Sequence, residues 1–150
     1  MPSNIEWITG PVHTGKTTRL TERIADSPEQ YCGLLAPIDS EGNRYLHDLV
    51  TGERRMLDCA PEAKDMIVVG PYIFSEAVFA WGRSILLSHQ EEYPERTLVI
   101  DEIGKLELRE QGLAPACWEL IDQRNSLKKP TVLIVRDSLE TLVKTRITPT

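Results

Sequence analysis

The stretch GPVHTGKTT, residues 10–18, constrains the fold of this chain more than any other feature. It satisfies the pattern G-x-x-x-x-G-K-[ST], whose fixed positions are Gly10, Gly15, Lys16 and Thr17. The preceding letters, NIEWITG, alternate apolar and polar side chains and predict a short buried strand. The following letters place Leu20 and Ile24 on one face of a helix that we expect over residues 16–25. A strand, a glycine loop and a helix in this order are what the pattern requires.

The chemistry of such a loop is the binding of phosphate. Its backbone N–H groups and the N-terminus of the following helix form a cradle for phosphate oxygens. Lys16 is expected to reach the β- and γ-phosphates and assist catalysis, and the Thr17 hydroxyl to coordinate Mg²⁺. His13 stands where small residues are more typical, and it either points outward or contacts a phosphate. The predicted phosphate-binding residues are Gly10, Pro11, Val12, His13, Thr14, Gly15, Lys16, Thr17 and Thr18.

A second motif, LVIDEIGKLEL at residues 98–108, ends an apolar run on two adjacent carboxylates. Asp101 follows LVI at the C-terminal end of a predicted central strand, where ligands of open α/β sheets bind. We expect Asp101 to hold Mg²⁺ opposite Thr17. Glu102 should follow on the other face of the pleat and deprotonate an attacking water. Gly104 can bring a backbone N–H toward the γ-phosphate.

The letters D-x-x-G in this motif also occur in the γ-phosphate sensor of signalling GTPases. That class usually discriminates guanine with N-K-x-D after a later strand, and no N-K-x-D is present in this sequence. After the run TVLIV the chain reads RDSLE instead. A strand followed by a magnesium-binding acid and a catalytic glutamate is therefore the preferred interpretation.

Two apolar runs predict the centre of a parallel sheet. TLVI (97–100) and TVLIV (131–135) are continuous and rich in β-branched residues, which is typical of strands covered on both faces. Between residues 33 and 58, the runs GLLAPI, RYLHDLV and RRMLDC are separated by turn residues and predict a β-meander of two or three strands. MIVVG (66–70) is interpreted as a further buried strand.

Helices are expected between these strands. Apolar residues recur at helical spacing over residues 75–88 and 113–127, and Pro130 ends the second pattern. A last helix is expected from Asp137, where DSLE forms a D-x-x-E capping pattern. Strands that alternate with helices predict one α/β domain over residues 1–150. Its mostly parallel sheet should be flanked by helices, with the meander inserted after the first helix.

Composition restricts the partners and the compartment. The formal charge of −6 provides no basic stripe, so nucleic acid is not expected as a partner. Cys32, Cys59 and Cys117 are widely spaced and predict neither a disulfide framework nor a zinc ribbon. No apolar run approaches the length of about 18 residues that spans a membrane, and no basic leader is present. We expect a cytoplasmic protein without membrane contact, and leave a protein partner or a homo-oligomer open.

The loop and the acid motif together resemble one known family. DEIGKLEL is similar to the D-E-I-G-K-M-E-L segment of small P-loop nucleoside-triphosphatases, the cancer-related nucleoside-triphosphatase type. Members carry a G-x-P-G-x-G-K-T-T-like loop, and the chain also matches them at the strand of Gly33 and at GNR, TGE and VGPY. The likeness extends over roughly residues 5–146, and its acid segment is more specific than its loop.

The resemblance implies a RecA-like fold with an added strand between the loop strand and the acid strand. It implies Mg²⁺-dependent hydrolysis of nucleoside triphosphates to diphosphate and phosphate, with loose base preference. It also implies that Asp101 holds metal, that Glu102 activates water and that Lys105 lines the same segment. The chain departs from the family at His13, where glycine is favoured, and at Pro71, where lysine is favoured. The resemblance also implies a further C-terminal segment after RITPT in family chains, and if that segment helps to enclose the base or supplies an arginine, we expect base binding here to be weaker or differently built.

The sequence leaves two questions open. A loose phosphoryl-transfer transition state needs added positive charge, and four arginines are candidates for it: Arg19, Arg44, Arg109 and Arg136. Hydrolysis also has alternatives, a small-molecule or nucleotide kinase and a non-catalytic ATP-binding switch module. A kinase needs an acceptor site and usually an arginine-rich lid, whereas a glutamate suited to activating water favours hydrolysis.

Overall fold

The structure, a computed structural model, describes residues 4–10, 16–61 and 65–147. Its strands are β1 (Ile5–Gly10), β2 (Tyr31–Leu35), β3 (Tyr45–Asp48), β4 (Arg54–Met56), β5 (Met66–Val69), β6 (Tyr72–Ser75), β7 (Thr97–Ile103) and β8 (Thr131–Arg136). Its helices are α1 (Lys16–Asp26), α2 (Glu76–Glu92), α3 (Lys105–Leu108), α4 (Ala116–Ser126) and α5 (Glu140–Arg146). Short 3₁₀ turns occupy Pro28–Gln30 and Asp137–Leu139. No helix in these ranges is long and apolar enough to cross a membrane.

A six-stranded sheet occupies the centre, in the order β1-β8-β7-β2-β3-β4. The neighbours β1, β8, β7 and β2 are parallel, and β3 and β4 extend the sheet in antiparallel pairs. Strand β8 therefore separates the strand that enters the glycine loop from the strand that carries the acids. The predicted α/β fold is confirmed, including the mostly parallel sheet, the added strand and the meander.

The central strands are covered on both faces, as their continuous apolar runs predict. Along β7, Val99 packs on one side of the sheet, whereas Leu98 and Ile100 pack on the other. Helix α1 covers the first side through Leu20 and Ile24. Helices α2, α4 and α5 contribute buried residues to the second side, among them Phe79, Leu86, Leu120, Ile121 and Val143. This two-sided cover holds β7 rigidly and so fixes the position of the acids at its end.

The middle of the sheet depends on a close approach between β2 and β7. Gly33 has φ +106, and a Cβ there would lie 2.1 Å from the backbone oxygen of Val99. Its N–H donates to Nδ1 of His89 on α2, at 2.9 Å. Nε2 of His89 then lies 3.3 Å from the Asp48 carboxylate on β3. Because Nδ1 accepts, the ring proton is on Nε2, and this buried network ties α2 to two strands.

Two local predictions are wrong. MIVVG was expected to be a buried strand, but β5 pairs with β6 in a separate hairpin, and Val68 is 55% exposed. Only Ile67 and Val69 pack against the core, so the hairpin has one solvated face. The D-x-x-E capping box does not form either. Asp137 begins a 3₁₀ turn, α5 starts at Glu140, and neither segment has a side-chain cap.

Candidate nucleotide-binding and catalytic site

The C-terminal ends of four parallel strands meet at one edge of the sheet. Gly10, the last residue of β1, pairs with Arg136 at the end of β8. Ile134 of β8 pairs with Ile8 on one side and with Asp101 of β7 on the other. Strands in a sheet lie about 4.8 Å apart, so the ends of β1 and β7 are separated by roughly 10 Å. The backbone therefore brings the strand before the glycine loop and the strand of the acids to the same edge.

The residues described at this edge do not include the predicted phosphate loop. Residues 11–15, namely Pro11, Val12, His13, Thr14 and Gly15, lie outside the described residues. Helix α1 begins at Lys16, as expected for a helix that follows the loop, but the side chains of residues 16–18 are not described either. The contacts proposed for Lys16 and Thr17 stay predictions.

Asp101 is held in place by the backbone of the neighbouring strand. Asp101 is 2% exposed, and its Oδ2 accepts a hydrogen bond from the Ala36 N–H at 3.0 Å. The Ala36 carbonyl in turn accepts from Nη1 of Arg44 at 3.1 Å. A buried carboxylate is costly unless it is hydrogen-bonded or paired. The contact with Ala36 meets part of that cost and fixes the orientation of the carboxylate.

Glu102 does not follow the alternation that the sequence predicts. Asp101 pairs with Ile134 and Ile103 pairs with Val135, so the register shifts across Glu102. Such a bulge re-aims side chains and increases the local twist. Asp101 and Glu102 both line one cavity, and the expected regular alternation of strand residues is interrupted at this point.

That cavity has a volume of about 250 Å³ and is called the acid-side cavity below. Its polar lining is formed by Asp101, Glu102, Gly104, Lys105, Glu107, Arg44 and Arg136. Its walls are apolar and come from the sheet, the β5–β6 hairpin, the first turn of α2 and the segment after β7: Leu46, Leu57, Phe74, Phe79, Leu106 and Leu113. The structure thus groups four predicted site residues, Asp101, Glu102, Gly104 and Lys105, in one place.

The four candidate arginines separate into two pairs. Arg44 and Arg136 are half-buried and line the acid-side cavity. Arg19 on α1 and Arg109 after α3 are exposed and do not line it. Arg44 is brought there by the meander, a long-range contact that its position in the sequence does not reveal. Among the described residues, neither Arg44 nor Arg136 forms an ion pair with a carboxylate.

Sequence reasoning missed Glu107, which is 3% exposed. Its Oε1 accepts from the Gly104 N–H and its Oε2 from the Leu113 N–H, both at 2.9 Å, so the N–H expected to face the γ-phosphate is bonded to Glu107 instead. Its own carbonyl accepts from Trp118 Nε1 at 3.0 Å. These bonds fasten the segment that carries Gly104 and Lys105 to the helical layer behind it. A Cβ on Gly112, where φ is +65, would lie 2.2 Å from Oε2, so this fastening also requires a glycine.

Burial raises the pKa of Glu107 from 4.5 to about 7, and the charge of Glu102 acts in the same direction. Backbone hydrogen bonds, including those from Leu113 and Gly104, lower the pKa but do not outweigh the loss of hydration. A glutamate at the third position of a helix is one half of a capping box. The other half needs a serine or threonine before the helix, and Gly104 stands there, so the usual sequence signal is incomplete.

A family model described as NTPase matches residues 6–149. The chain belongs to the NTPase family. The resemblance noted in the sequence is thereby confirmed, and family membership supports nucleoside-triphosphatase activity in the broad sense, together with nucleotide binding at the P-loop. No curated protein sequence matches the chain significantly.

The fold has a solved counterpart. The crystal structure of THEP1 from the hyperthermophile Aquifex aeolicus superimposes with a TM-score of 0.72. The alignment covers 95% of this chain and 83% of that chain, with 18% sequence identity. At this identity the likeness establishes the fold, and the assignment of individual site residues must come from the site itself.

Proposed function

We propose that this protein hydrolyses nucleoside 5′-triphosphates to diphosphate and phosphate in a Mg²⁺-dependent reaction with loose base preference. One observation carries the proposal. In a chain of the NTPase family, Asp101 and Glu102 line one cavity at the sheet edge where β1 enters the G-x-x-x-x-G-K-T loop. A triphosphate bound by that loop would present its γ-phosphate to both carboxylates.

The residues at this edge fit Mg²⁺. This ion prefers oxygen ligands and is usually bound by one or two carboxylates together with substrate phosphates. Asp101 and the hydroxyl of Thr17 would hold it. When bound, the ion would neutralise charge on the β- and γ-phosphates.

Glu102 is the proposed general base. Glu102 is half-buried next to Asp101 at the register shift of β7, and both residues line the cavity. In the reaction the water oxygen forms a bond to the γ-phosphorus and gives a proton to the Glu102 carboxylate. The bond between the γ-phosphorus and the bridging oxygen breaks, and the diphosphate leaves with the bonding electrons.

Arg136 is the proposed source of the added positive charge. It lies across from Gly10 on a strand between β1 and β7, which is the interval that the γ-phosphate must occupy. Arg44 also faces the cavity, but one of its N–H groups is committed to the Ala36 carbonyl. We therefore assign charge stabilisation to Arg136, and to Arg44 the support of the Ala36–Asp101 contact.

One observation also favours the kinase alternative. Phosphoryl transfer to a second substrate needs space beside the γ-phosphate, and the acid-side cavity borders the proposed position of that group. The half-buried Glu102 would then deprotonate an acceptor hydroxyl instead of water. Hydrolysis remains the preferred function because the chain belongs to the NTPase family.

Release of inorganic phosphate without any acceptor tests these functions. Purified protein with Mg²⁺ should release phosphate from ATP, GTP, CTP and UTP at comparable rates. Glu102→Gln should bind nucleotide normally but lose turnover, because the amide cannot take a proton from water. Glu119→Gln, on the exposed side of α4, is the matched control and should behave like the parent. Phosphate transfer that requires an added alcohol would establish a kinase, and tight ATP binding without turnover would establish a switch module.

A further inference from the structure

The acid-side cavity extends from the proposed catalytic acids into an apolar interior. It measures about 250 Å³, and the γ-phosphate and the attacking water would occupy only its end beside Asp101 and Glu102. Binding sites for small organic molecules measure about 300–1,000 Å³ and combine apolar walls with a few placed polar groups, so a cavity of this size suits a very small molecule. Leu46, Leu57 and Leu113 at its base are at most 2% exposed. The cavity therefore has the character of a ligand site.

Aromatic rings form one wall of the cavity. The rings of Tyr72 and Phe74, on β6 of the hairpin, stack with centroids 5.7 Å apart and an interplanar angle of 11°. Phe74 then meets Phe79 of α2 edge to face, with centroids 6.1 Å apart. All three residues line the cavity, and Tyr72 is 53% exposed, so the ladder runs from solvent to the interior. Such a wall favours a guest with an aromatic ring.

The polar lining carries both signs of charge, with Asp101, Glu102 and Glu107 beside three basic residues. Arg44, Lys105 and Arg136 line the cavity, and none of them forms an ion pair with a carboxylate within the part of the chain that the structure describes. Only one N–H contact of the Arg44 guanidinium, to Ala36, is used in the fold. These groups can bind an anion at the rim while the apolar walls enclose its body.

The nucleobase does not account for this space. A triphosphate bound by the loop after Gly10 would have its γ-phosphate near Asp101 and its base at the opposite end of the phosphate chain. The aromatic wall lies beyond the acids, on the side of β3 and the hairpin rather than on the side of β1. Another molecule must therefore be the guest.

We propose that the acid-side cavity binds a small aromatic carboxylate, with the ring against Phe74 and Phe79 and the carboxylate at Arg44. The inhibitory part of the proposal rests on the proposed function. A ligand in this position displaces the water that Glu102 would activate, so its occupancy slows nucleotide hydrolysis without displacing the nucleotide. The site would let the concentration of an aromatic acid control the enzyme.

Phenylacetate is a suitable probe because it combines one ring with one carboxylate. The protein is first saturated with Mg²⁺ and a non-hydrolysable ATP analogue, so that the phosphate loop is occupied, and the titration is followed by backbone amide NMR. We expect saturable shifts at Leu46, Leu57 and Phe79. Acetate and benzyl alcohol, which carry the head group or the ring only, should bind about tenfold more weakly. No saturable shift at these residues, or equal binding of acetate, would overturn the site.

Two variants separate the wall from the rim. Leu57→Phe fills the cavity and should abolish phenylacetate binding. Arg44→Gln should weaken phenylacetate about tenfold but leave benzyl alcohol binding unchanged, which keeps the test valid if Leu57→Phe does not fold. Arg54→Gln, an exposed arginine on β4 that donates to His47, is the matched control and should bind phenylacetate normally. Unchanged phenylacetate affinity in Arg44→Gln would refute the assigned rim contact.

Kinetics test the inhibitory part. Phenylacetate should lower kcat for ATP in proportion to its occupancy and leave KM unchanged. A rise in KM alone would mean that it competes for the nucleotide site, and would refute the placement. Failure of the proposed function gives a different result. The protein would then release no phosphate from any triphosphate, while the NMR titration without nucleotide would still show saturable phenylacetate binding at the same residues.

Discussion

Asp101 is 2% exposed, and its Oδ2 atom lies 3.0 Å from the backbone nitrogen of Ala36. This contact joins the acid strand β7 to the residue after β2. The Ala36 carbonyl in turn accepts a hydrogen bond from Nη1 of Arg44 at 3.1 Å. The proposed metal ligand is therefore oriented before any nucleotide arrives. Preorganised groups of this kind do not have to be rearranged during the reaction, which is the main electrostatic advantage of an enzyme over water.

Asp101→Asn separates the structural role of this carboxylate from its role toward metal. The amide oxygen of asparagine can still accept from Ala36, so the fold should be kept and Tm should change little. The negative charge toward Mg²⁺ is lost, and we expect kcat for ATP to fall on the order of 100-fold or more, with a higher requirement for Mg²⁺. Phosphate release over a Mg²⁺ titration measures both. Asp26→Asn at the end of α1 is the control, and equal kinetics in the two variants would exclude metal binding by Asp101.

Arg136→Ala tests the assigned charge stabilisation. Removal of an arginine that contacts the transferring phosphoryl group costs on the order of 10³ in kcat in related chemistry, and we expect a loss of this size. Affinity for a non-hydrolysable ATP analogue should change little, whereas affinity for ADP with aluminium fluoride, which mimics the transition state, should fall with kcat. Arg109→Ala, at an exposed position outside the cavity, should retain both. A normal kcat in Arg136→Ala would move the role to Arg44 or to another subunit.

The sequence predicts the strands and the helix around the site well, because these elements follow from local patterns. The runs at 97–100 and 131–135 are apolar without interruption, and only strands covered on both faces can accommodate that. The glycine-loop motif predicts the elements on either side of it, since it must follow a strand and precede a helix. These signals place β1, α1 and the acid strand without knowledge of distant contacts.

The parts that fail depend on partners far away in the chain or on a local irregularity. MIVVG reads like a central strand, but it pairs with Tyr72–Ser75 and leaves the main sheet. Asp101 and Glu102 line one cavity at a point where the register of β7 shifts, and a pattern with a period of two residues cannot reveal such a bulge. Arg44 reaches the site through the meander. Glu107 looks like a solvated acid on a short helix, and its burial comes from contacts with Leu113 and Trp118.

His89→Gln tests a buried network through its dependence on pH. Burial lowers the pKa of His89 below its ordinary 6.5, so the unfolded chain takes up a proton at a pH where the folded protein does not. Stability from this residue is present above pH 6.5 and is lost as the pH falls below it. Glutamine can still accept from Gly33 and donate to Asp48 but does not titrate. Urea unfolding at pH 8 and pH 5.5 should therefore show a smaller loss of stability in the variant than in the parent, and equal losses would contradict a neutral His89.

Glu107→Gln should show the opposite dependence. The folded pKa of about 7 lies above the ordinary 4.5, so the folded protein holds a proton that the unfolded chain has released. The stability from this residue is complete below pH 4.5 and declines by roughly 3 kcal/mol as the pH rises to 7. Glutamine has one oxygen for the N–H groups of Gly104 and Leu113, and leaving one of them unpaired costs about 1–3 kcal/mol.

The two effects of this substitution have different pH profiles, so the free energy of unfolding distinguishes them. The deficit of Glu107→Gln relative to the parent should be largest near pH 5 and should shrink or reverse by pH 8, because only the parent loses stability over that interval. Glu119→Gln, exposed on α4, should follow the parent at every pH. A deficit that is constant from pH 5 to pH 8 would mean that Glu107 is ionised in the folded protein throughout, and that its hydrogen bonds outweigh its burial.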